Sequence, residues 1–311
     1  SVEISDARLE VVIPTGNGRP ALDANVLLPW IEATASDVSL AYGRFPNASA
    51  FVIVVPSGNR RGRGNSPVPF GRVIRDGRES VELFVDATKP LSEFLDDWTA
   101  THEFSHLMVP YLNSDSRWIS EGLAQYYQNV LLARSGAYDQ ARAWKNIHNG
   151  LERGRQSQPS MSPNEAARQG VRSARMKVYW SGAALALMAD VTLRERSDGV
   201  ESLDSVLDKL QICCLPSERS WSGPEFLRKL DSLIEPSPGT QTAKPVFMPL
   251  YDRYADTAGF PDFSEYFASL GVEIEGSTIR FSDDAPLTAV REHITRMDTD
   301  AAQWRRRLTD Q

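Results

Sequence analysis

An α+β fold is predicted, a small mixed sheet lobe followed by a mostly helical lobe. Three observations predict it. Short β patterns crowd the first 86 residues, helical periodicity dominates after Gly136, and a small hairpin pattern near residues 272–281 stands alone among the later helices. With 311 residues and 41% apolar content the chain can bury a substantial core, as one large domain or two lobes. The patterns divide it into an α/β lobe at 1–135, a helical lobe at 136–235, and a helical and hairpin extension at 236–311.

Val2-Glu3-Ile4 and Leu9-Glu10-Val11-Val12-Ile13 alternate as short strands, and Pro14-Thr15-Gly16-Asn17-Gly18 ends them. Asp23 to Tyr42 reads as an amphipathic helix with Val26, Leu27, Trp30, Ile31, Val38 and Leu40 apolar and Gly43 at its end. Phe51 to Val55 is a buried strand, closed by Pro56-Ser57-Gly58. The basic, glycine-rich stretch Asn59 to Pro67 is a solvated hairpin tip or a clamp for an anionic substrate. Asn47-Ala48-Ser49 formally matches a glycosylation acceptor. Ser80 to Asp86 alternates as a strand, internal or at an edge. An edge strand there could recognise any extended peptide through its unpaired backbone groups.

Helices follow. Ser92 is the expected N-cap of the first, just after Pro90, with Glu93 and Asp96 in its first turn. Leu95, Trp98, His102, His106 and Val109 share one stripe of it. A second helix begins at Trp118 after the loop Asn113-Ser114-Asp115-Ser116. Further helices are predicted over Tyr138–Arg153, Pro163–Arg168 and Arg175–Arg196, the last with Gly182-Ala183-Ala184 for close packing. Shorter ones are expected near 203–210, 224–234, 249–256 and 263–270. Val272-Glu273-Ile274 and Thr278 to Phe281 flank Glu275-Gly276-Ser277 as a hairpin. A helix from Pro286 to Met297 precedes a polar tail, and Pro236 to Thr240 is the best linker candidate.

Composition excludes some functions. A net charge of −7 argues against a nucleic-acid binder that works by neutralising phosphates. No run of about 18 apolar residues is available to span a membrane. Cys213 and Cys214 are neighbours and the only cysteines, so buried or idle thiols are expected rather than a disulfide framework. The start at Ser1 fits a removed signal peptide or an artificially trimmed start. A periplasmic or secreted location is expected, with a cytoplasmic one open.

The chemistry concentrates in Trp98 to Leu107, which contains His102-Glu103-Phe104-Ser105-His106, the H-E-x-x-H zinc signature. Two histidines four apart on a helix are offset by only about 40°, so both imidazoles leave one face. Zinc then needs at least one more protein ligand, and Glu103 lies beside His102 where it can take a proton from a water. Glu121 is the natural third ligand, because a helix returning after a short loop can bring it back over the histidines. Otherwise it is a solvated carboxylate at a helix start. His148 and His293 fall on polar helix faces and are expected to be solvated.

His102-Glu103-x-x-His106 followed by Trp118-x-Ser120-Glu121-Gly122 resembles the gluzincin metallopeptidases. Trp118 to Tyr127 with Leu131-Leu132-Ala133-Arg134 looks most like their glycyl aminopeptidase family. Tyr179-Trp180-Ser181-Gly182-Ala183-Ala184-Leu185, then Asp190 and Leu193 to Arg196, is similar to that family's third motif. The resemblance implies a thermolysin-like catalytic domain in which His102, His106 and Glu121 hold Zn2+, Glu103 is the general base and Tyr179 donates to the oxyanion. Periodicity alone favours reading Tyr179 as a core aromatic on a long helix, and the motif match reverses that preference. The implied substrate is a peptide or protein, met in extended form along a sheet edge.

Departures are also visible. The gap from His106 to Glu121 is shorter than is usual, Ser181 stands where a lysine is common, and Gln128 stands where an acid follows the Tyr-Tyr pair. No Gly-Leu-Glu-His-like or Gly-x-Met-Glu-Asn-like segment precedes the zinc motif to hold a free α-amine, although Glu79 and Glu82 lie in the corresponding region. Two other readings therefore stand beside peptide hydrolysis. One is a zinc-binding or metal-free interaction protein of the same fold that has lost turnover. The other is a zinc hydrolase of a non-peptide amide.

Overall fold

A computed structural model of the chain describes residues 1–14, 23–57, 65–76, 78–236, 240, 242–276 and 278–309. The chain opens with a hairpin of β1 (Val2–Ile4) and β2 (Ala7–Val12), then forms α1 (Ala24–Ser39) and β3 (Ser49–Pro56). Asp23 caps α1, its carboxylate accepting from the Asn25 N–H. Gly43, at φ +82°, turns the chain out of the helix as its position after the last apolar residue predicts. β4 (Phe70–Asp76) and β5 (Arg78–Val85) complete a five-stranded sheet in the order β1-β2-β3-β5-β4. β2, β3 and β5 run parallel, while β1 and β4 are antiparallel to their neighbours. The registers Val52↔Val81, Val54↔Leu83 and Leu83↔Gly71 place these residues on one face, which is buried. Phe51, Ile53, Val55 and Phe84 take the other, half-covered face, as the period of two requires.

One open alternative is settled here and one expectation changes. The strand at 80–85 is internal, and the edge is β4, whose sequence Phe-Gly-Arg-Val-Ile-Arg-Asp carries no clean alternation because Gly71, Arg72 and Arg75 interrupt it. The single zinc helix is instead two, α2 (Leu91–Asp96) and α3 (Thr99–Ser105), and α2 starts after Pro90 without a Ser92 cap. Asp97 makes the break. Its backbone is extended and its carboxylate accepts the Thr99 N–H at 2.7 Å, giving α3 its own N-terminus.

The helical part continues with α4 (Arg117–Arg134), α5 (Gln140–Gln156), α6 (Pro163–Gln169) and α7 (Val171–Arg196). The segment between α3 and α4 holds two 3-10 turns, at His106–Met108 and Ser114–Ser116. Ser162 and Glu165 form a reciprocal capping box on α6. α7 is kinked at Ala174, so its regular part starts at Arg175 as the sequence predicts. α8 (Leu203–Cys214), α9 (Gly223–Ser232), α10 (Phe247–Tyr254) and α11 (Ser264–Ser269) follow. The hairpin of β6 (Val272–Glu275) and β7 (Thr278–Phe281) is as expected. After α12 (Thr288–Thr295), the supposed polar tail is a helix, α13 (Thr299–Thr309). Its Arg305 reaches inward, pairing with Asp37 of α1 at 2.7 Å and donating to the Leu95 carbonyl.

Cys213 and Cys214 are joined to each other and no free cysteine remains, so the expectation of unpaired thiols is wrong. They are also not buried, because the end of α8 faces outward. Asn47 is buried and donates to Glu79, so its side chain is not presented as an acceptor for glycan. The turn at 15–18, most of the basic loop (58–64) and the centre of the linker (237–239) lie outside the described residues.

The chain forms two compact units. One comprises Ser1–Met108, Leu131–Tyr138 and Met297–Gln311; the other comprises Val109–Val130 and Asp139–Arg296. The first holds the five-stranded sheet with α1, α2, α3 and α13, and the second holds most of the helices and the small hairpin.

Candidate metal centre

α3 is fixed at both ends by the chain around β4. At its start, Ser66 donates to Asp97 and the Thr99 hydroxyl donates to the Val68 carbonyl. Burial raises the Asp97 pKa from its ordinary value, and the Ser66 and Thr99 hydrogen bonds oppose that rise. At its end, the Arg75 guanidinium donates to the His106 carbonyl at 2.6 Å and pairs with Glu79 at 3.1 Å. Asn47 donates to the same Glu79 carboxylate at 2.5 Å. His106 is the C-cap residue but keeps helical angles, so the four-residue spacing still puts both rings together, with centroids 5.0 Å apart. His102 is buried, and its other side meets the half-exposed Trp98 edge-on at 5.9 Å.

Gly71 supplies room for Glu103. A Cβ at that position would lie 2.5 Å from Glu103 Cγ and 3.1 Å from its Oε1. The absence of a side chain on the edge strand therefore lets the Glu103 carboxylate lie against β4. A glycine inside a strand marks close approach of another group, but without β4 in view the sequence reading missed both Gly71 and Arg75. Glu79 and Glu82, the candidates for holding an amine, are engaged by Arg75 and Arg72 of β4 respectively.

Donor atoms of His102, His106 and Glu121 all lie within 4.8 Å of one another, and they are the one such group of three among the described residues. Ligands about 2.0–2.2 Å from a tetrahedral zinc are roughly 3.4 Å apart, so small side-chain adjustments suffice for them to share one ion. Two imidazoles and a carboxylate are a donor set that zinc accepts.

Glu121 is carried on the first turns of α4, and that turn is locked against α7. A Cβ on Gly122 would fall 2.1 Å from the Gly182 backbone, and one on Gly182 would fall 1.9 Å from the Trp118 carbonyl oxygen. The predicted close packing at Gly182 is thus a helix crossing at van der Waals contact of the backbones. Tyr179 lies one turn before that crossing, half-buried, with the Arg175 guanidinium 5.5 Å from its ring centroid. A buried polar network braces the same two helices. Tyr126 donates to Asp190 at 2.7 Å, Arg194 joins Asp190 to Asp204 at 2.9 Å each, and Tyr127 donates to Asp204. Burial and the nearby Asp190 push the Tyr126 phenol well above its ordinary pKa. His148 and His293 are half-buried and remote in sequence from this constellation, His148 lying edge-on to Phe267.

A sequence profile described as M61 glycyl aminopeptidase matches residues 110–185. The chain resembles the M61 glycyl aminopeptidases. The matched segment contains Glu121, Tyr179 and the Gly122–Gly182 crossing and begins just after His106. No curated protein matches the chain in sequence. Among solved structures, an aminopeptidase N family protein from Idiomarina loihiensis is similar at 18% identity and a TM-score of 0.63, over 90% of this chain and 51% of that one. A two-domain M1 zinc metallopeptidase variant bound to L-tryptophan is similar at 14% identity and a TM-score of 0.52, over 84% and 51%. These likenesses are of fold, and this chain spans about half the length of either protein. The sequence resemblance to aminopeptidase-like gluzincins holds.

Proposed function

We propose that this chain carries a gluzincin, thermolysin-like centre that hydrolyses peptide bonds with one zinc ion held by His102, His106 and Glu121. The convergence of those three donors within 4.8 Å is the observation that carries the reading. Zinc supplies a Lewis acid that makes water nucleophilic near neutral pH and polarises a carbonyl. The Glu103 carboxylate, lying in the space left by Gly71, takes the proton of the attacking water and returns one to the leaving amine. The Tyr179 hydroxyl donates to the oxyanion, on a helix turn held by the Gly122–Gly182 crossing. Arg75 fixes the turn carrying His106 through its carbonyl. The edge strand β4 offers unpaired backbone groups to an extended substrate. The bonded cysteine pair supports an oxidising setting, periplasmic or secreted.

The intact general base favours turnover over a purely structural metal site. Purified protein should hold about one zinc per chain, lost on chelation. Glu103→Gln should retain that zinc and lose hydrolysis of a peptide library read by mass spectrometry, with free and acetylated N-termini compared. Near-normal turnover in Glu103→Gln would move water activation elsewhere, and full zinc in His102→Ala or Glu121→Ala would sink the ligand set.

A further inference from the structure

α7 carries a second constellation. Lys177, Ser181, Leu185 and Met188 recur at spacings of four, four and three, so they share one helix face. Residues two apart on a helix point to nearly opposite faces, so this stripe lies on the reverse side of α7 from Tyr179. Ser181, Leu185 and Met188 line a cavity of about 80 Å³ closed by Trp118, Tyr254 and the turn at 257–261. About 10–15 Å³ admits one water, and an apolar cavity of about 150 Å³ takes benzene, so a few heavy atoms fit here.

Two polar groups stand out, one in this largely hydrocarbon lining and one bonded to its wall. Ser181 is buried, and its hydroxyl has no hydrogen-bond partner among the described residues. Such a group is costly unless something pairs with it. Lys177 is completely buried. Its ammonium donates to the Gly259 carbonyl and lies 5.5 Å from the Phe260 ring centroid, and both residues belong to the cavity wall. Among the described residues no charged neighbour perturbs this lysine, and burial draws its pKa below the ordinary value. A buried cation with no counter-ion among the described residues, bonded to the cavity wall at Gly259, and an unpaired hydroxyl one turn along that lines the apolar hollow are complementary to a single kind of molecule.

We propose that this cavity binds a small apolar monocarboxylate, its carboxylate taken by the Lys177 ammonium and the Ser181 hydroxyl and its hydrocarbon part by Leu185, Met188 and Trp118. None of the residues lining it is among the proposed metal ligands.

Calorimetric titration of the full chain with sodium butyrate and with its uncharged counterpart butyramide tests this, with and without prior metal chelation. Butyrate should bind about tenfold or more tightly than butyramide, since it gains a charge-assisted contact. Chelation should leave both affinities unchanged. Lys177→Met, which keeps the length of the side chain, should bring butyrate down to the level of butyramide. Ser181→Ala, a one-atom deletion that preserves the fold even where Lys177→Met does not, should weaken butyrate several-fold. Ser181→Leu should fill the cavity and abolish binding. No butyrate binding, equal affinity for the two probes, or wild-type affinity in either Lys177→Met or Ser181→Ala would overturn the proposal. Binding that vanishes on chelation would assign the carboxylate to the metal residues instead and overturn it equally.

Discussion

The hydroxyl of Tyr179 is the smallest group on which the proposed chemistry depends. Tyr179→Phe removes that oxygen and keeps the ring. Loss of one such donor typically costs about 2.7–4 kcal/mol in the transition state, roughly a hundred- to thousandfold in kcat. Zinc content and Tm should stay where they are, and KM should change little. Unchanged kcat on a peptide substrate would return Tyr179 to the role of a core aromatic. At this scale the sequence was most informative about His102, His106 and Glu121, because a pair of imidazoles on one helix face is a local pattern and the return helix begins only a short loop later. It was silent about Gly71, Arg75 and Lys177. Their importance comes from what other strands and turns bring against them: the Glu103 side chain, the His106 carbonyl and the Gly259 carbonyl. A lone glycine, arginine or lysine carries no periodic signal of such partners.

Among elements, the crossing of α4 and α7 sets where Glu121 and the turn of Tyr179 can be. Gly122→Ala would drive a methyl into the Gly182 backbone, where no flexible side chain can give way. Overpacking of this kind typically costs about 1–3 kcal/mol. The variant should therefore show a lowered denaturation midpoint together with weaker zinc retention, as the turn holding Glu121 is pushed off its seat. Denaturant titration with elemental analysis checks both, and a variant that is destabilised with zinc retention untouched would uncouple the crossing from the ligand. The long helices α1, α4, α5 and α7 were legible because their apolar spacing persists over many turns. In sequence the zinc helix reads as continuous because its stripe survives across Asp97, and only the extended backbone there divides it. β4 and α13 were missed for a common reason. Arg75 on one and Arg305 on the other point to partners distant in sequence, the His106 carbonyl and Asp37, and these charges mask the apolar periodicity.

For the whole molecule, α13 shows how the end of the chain secures its beginning. Burial raises the Asp37 pKa, and the Arg305 guanidinium opposes that rise. Arg305→Met would leave a buried carboxylate without its counter-ion, a loss of about 3–5 kcal/mol. The deficit should shrink as pH falls, because a protonated Asp37 needs no counter-ion, and thermal melts across an acid series would show it. A deficit independent of pH would trace the loss to packing of α13 alone. The division into two units has a further consequence for anyone who would dissect the gene. The chain passes from one unit to the other four times, after residues 108, 130, 138 and 296. Neither unit is therefore a contiguous cassette. A fragment ending at Met108 keeps the entire zinc motif and all five strands of the larger sheet, yet it lacks Arg305 and so strands Asp37 in an apolar interior. Expressed alone, it should give the circular dichroism of an unfolded chain, and supplying a peptide of residues 297–311 in trans should restore helical signal.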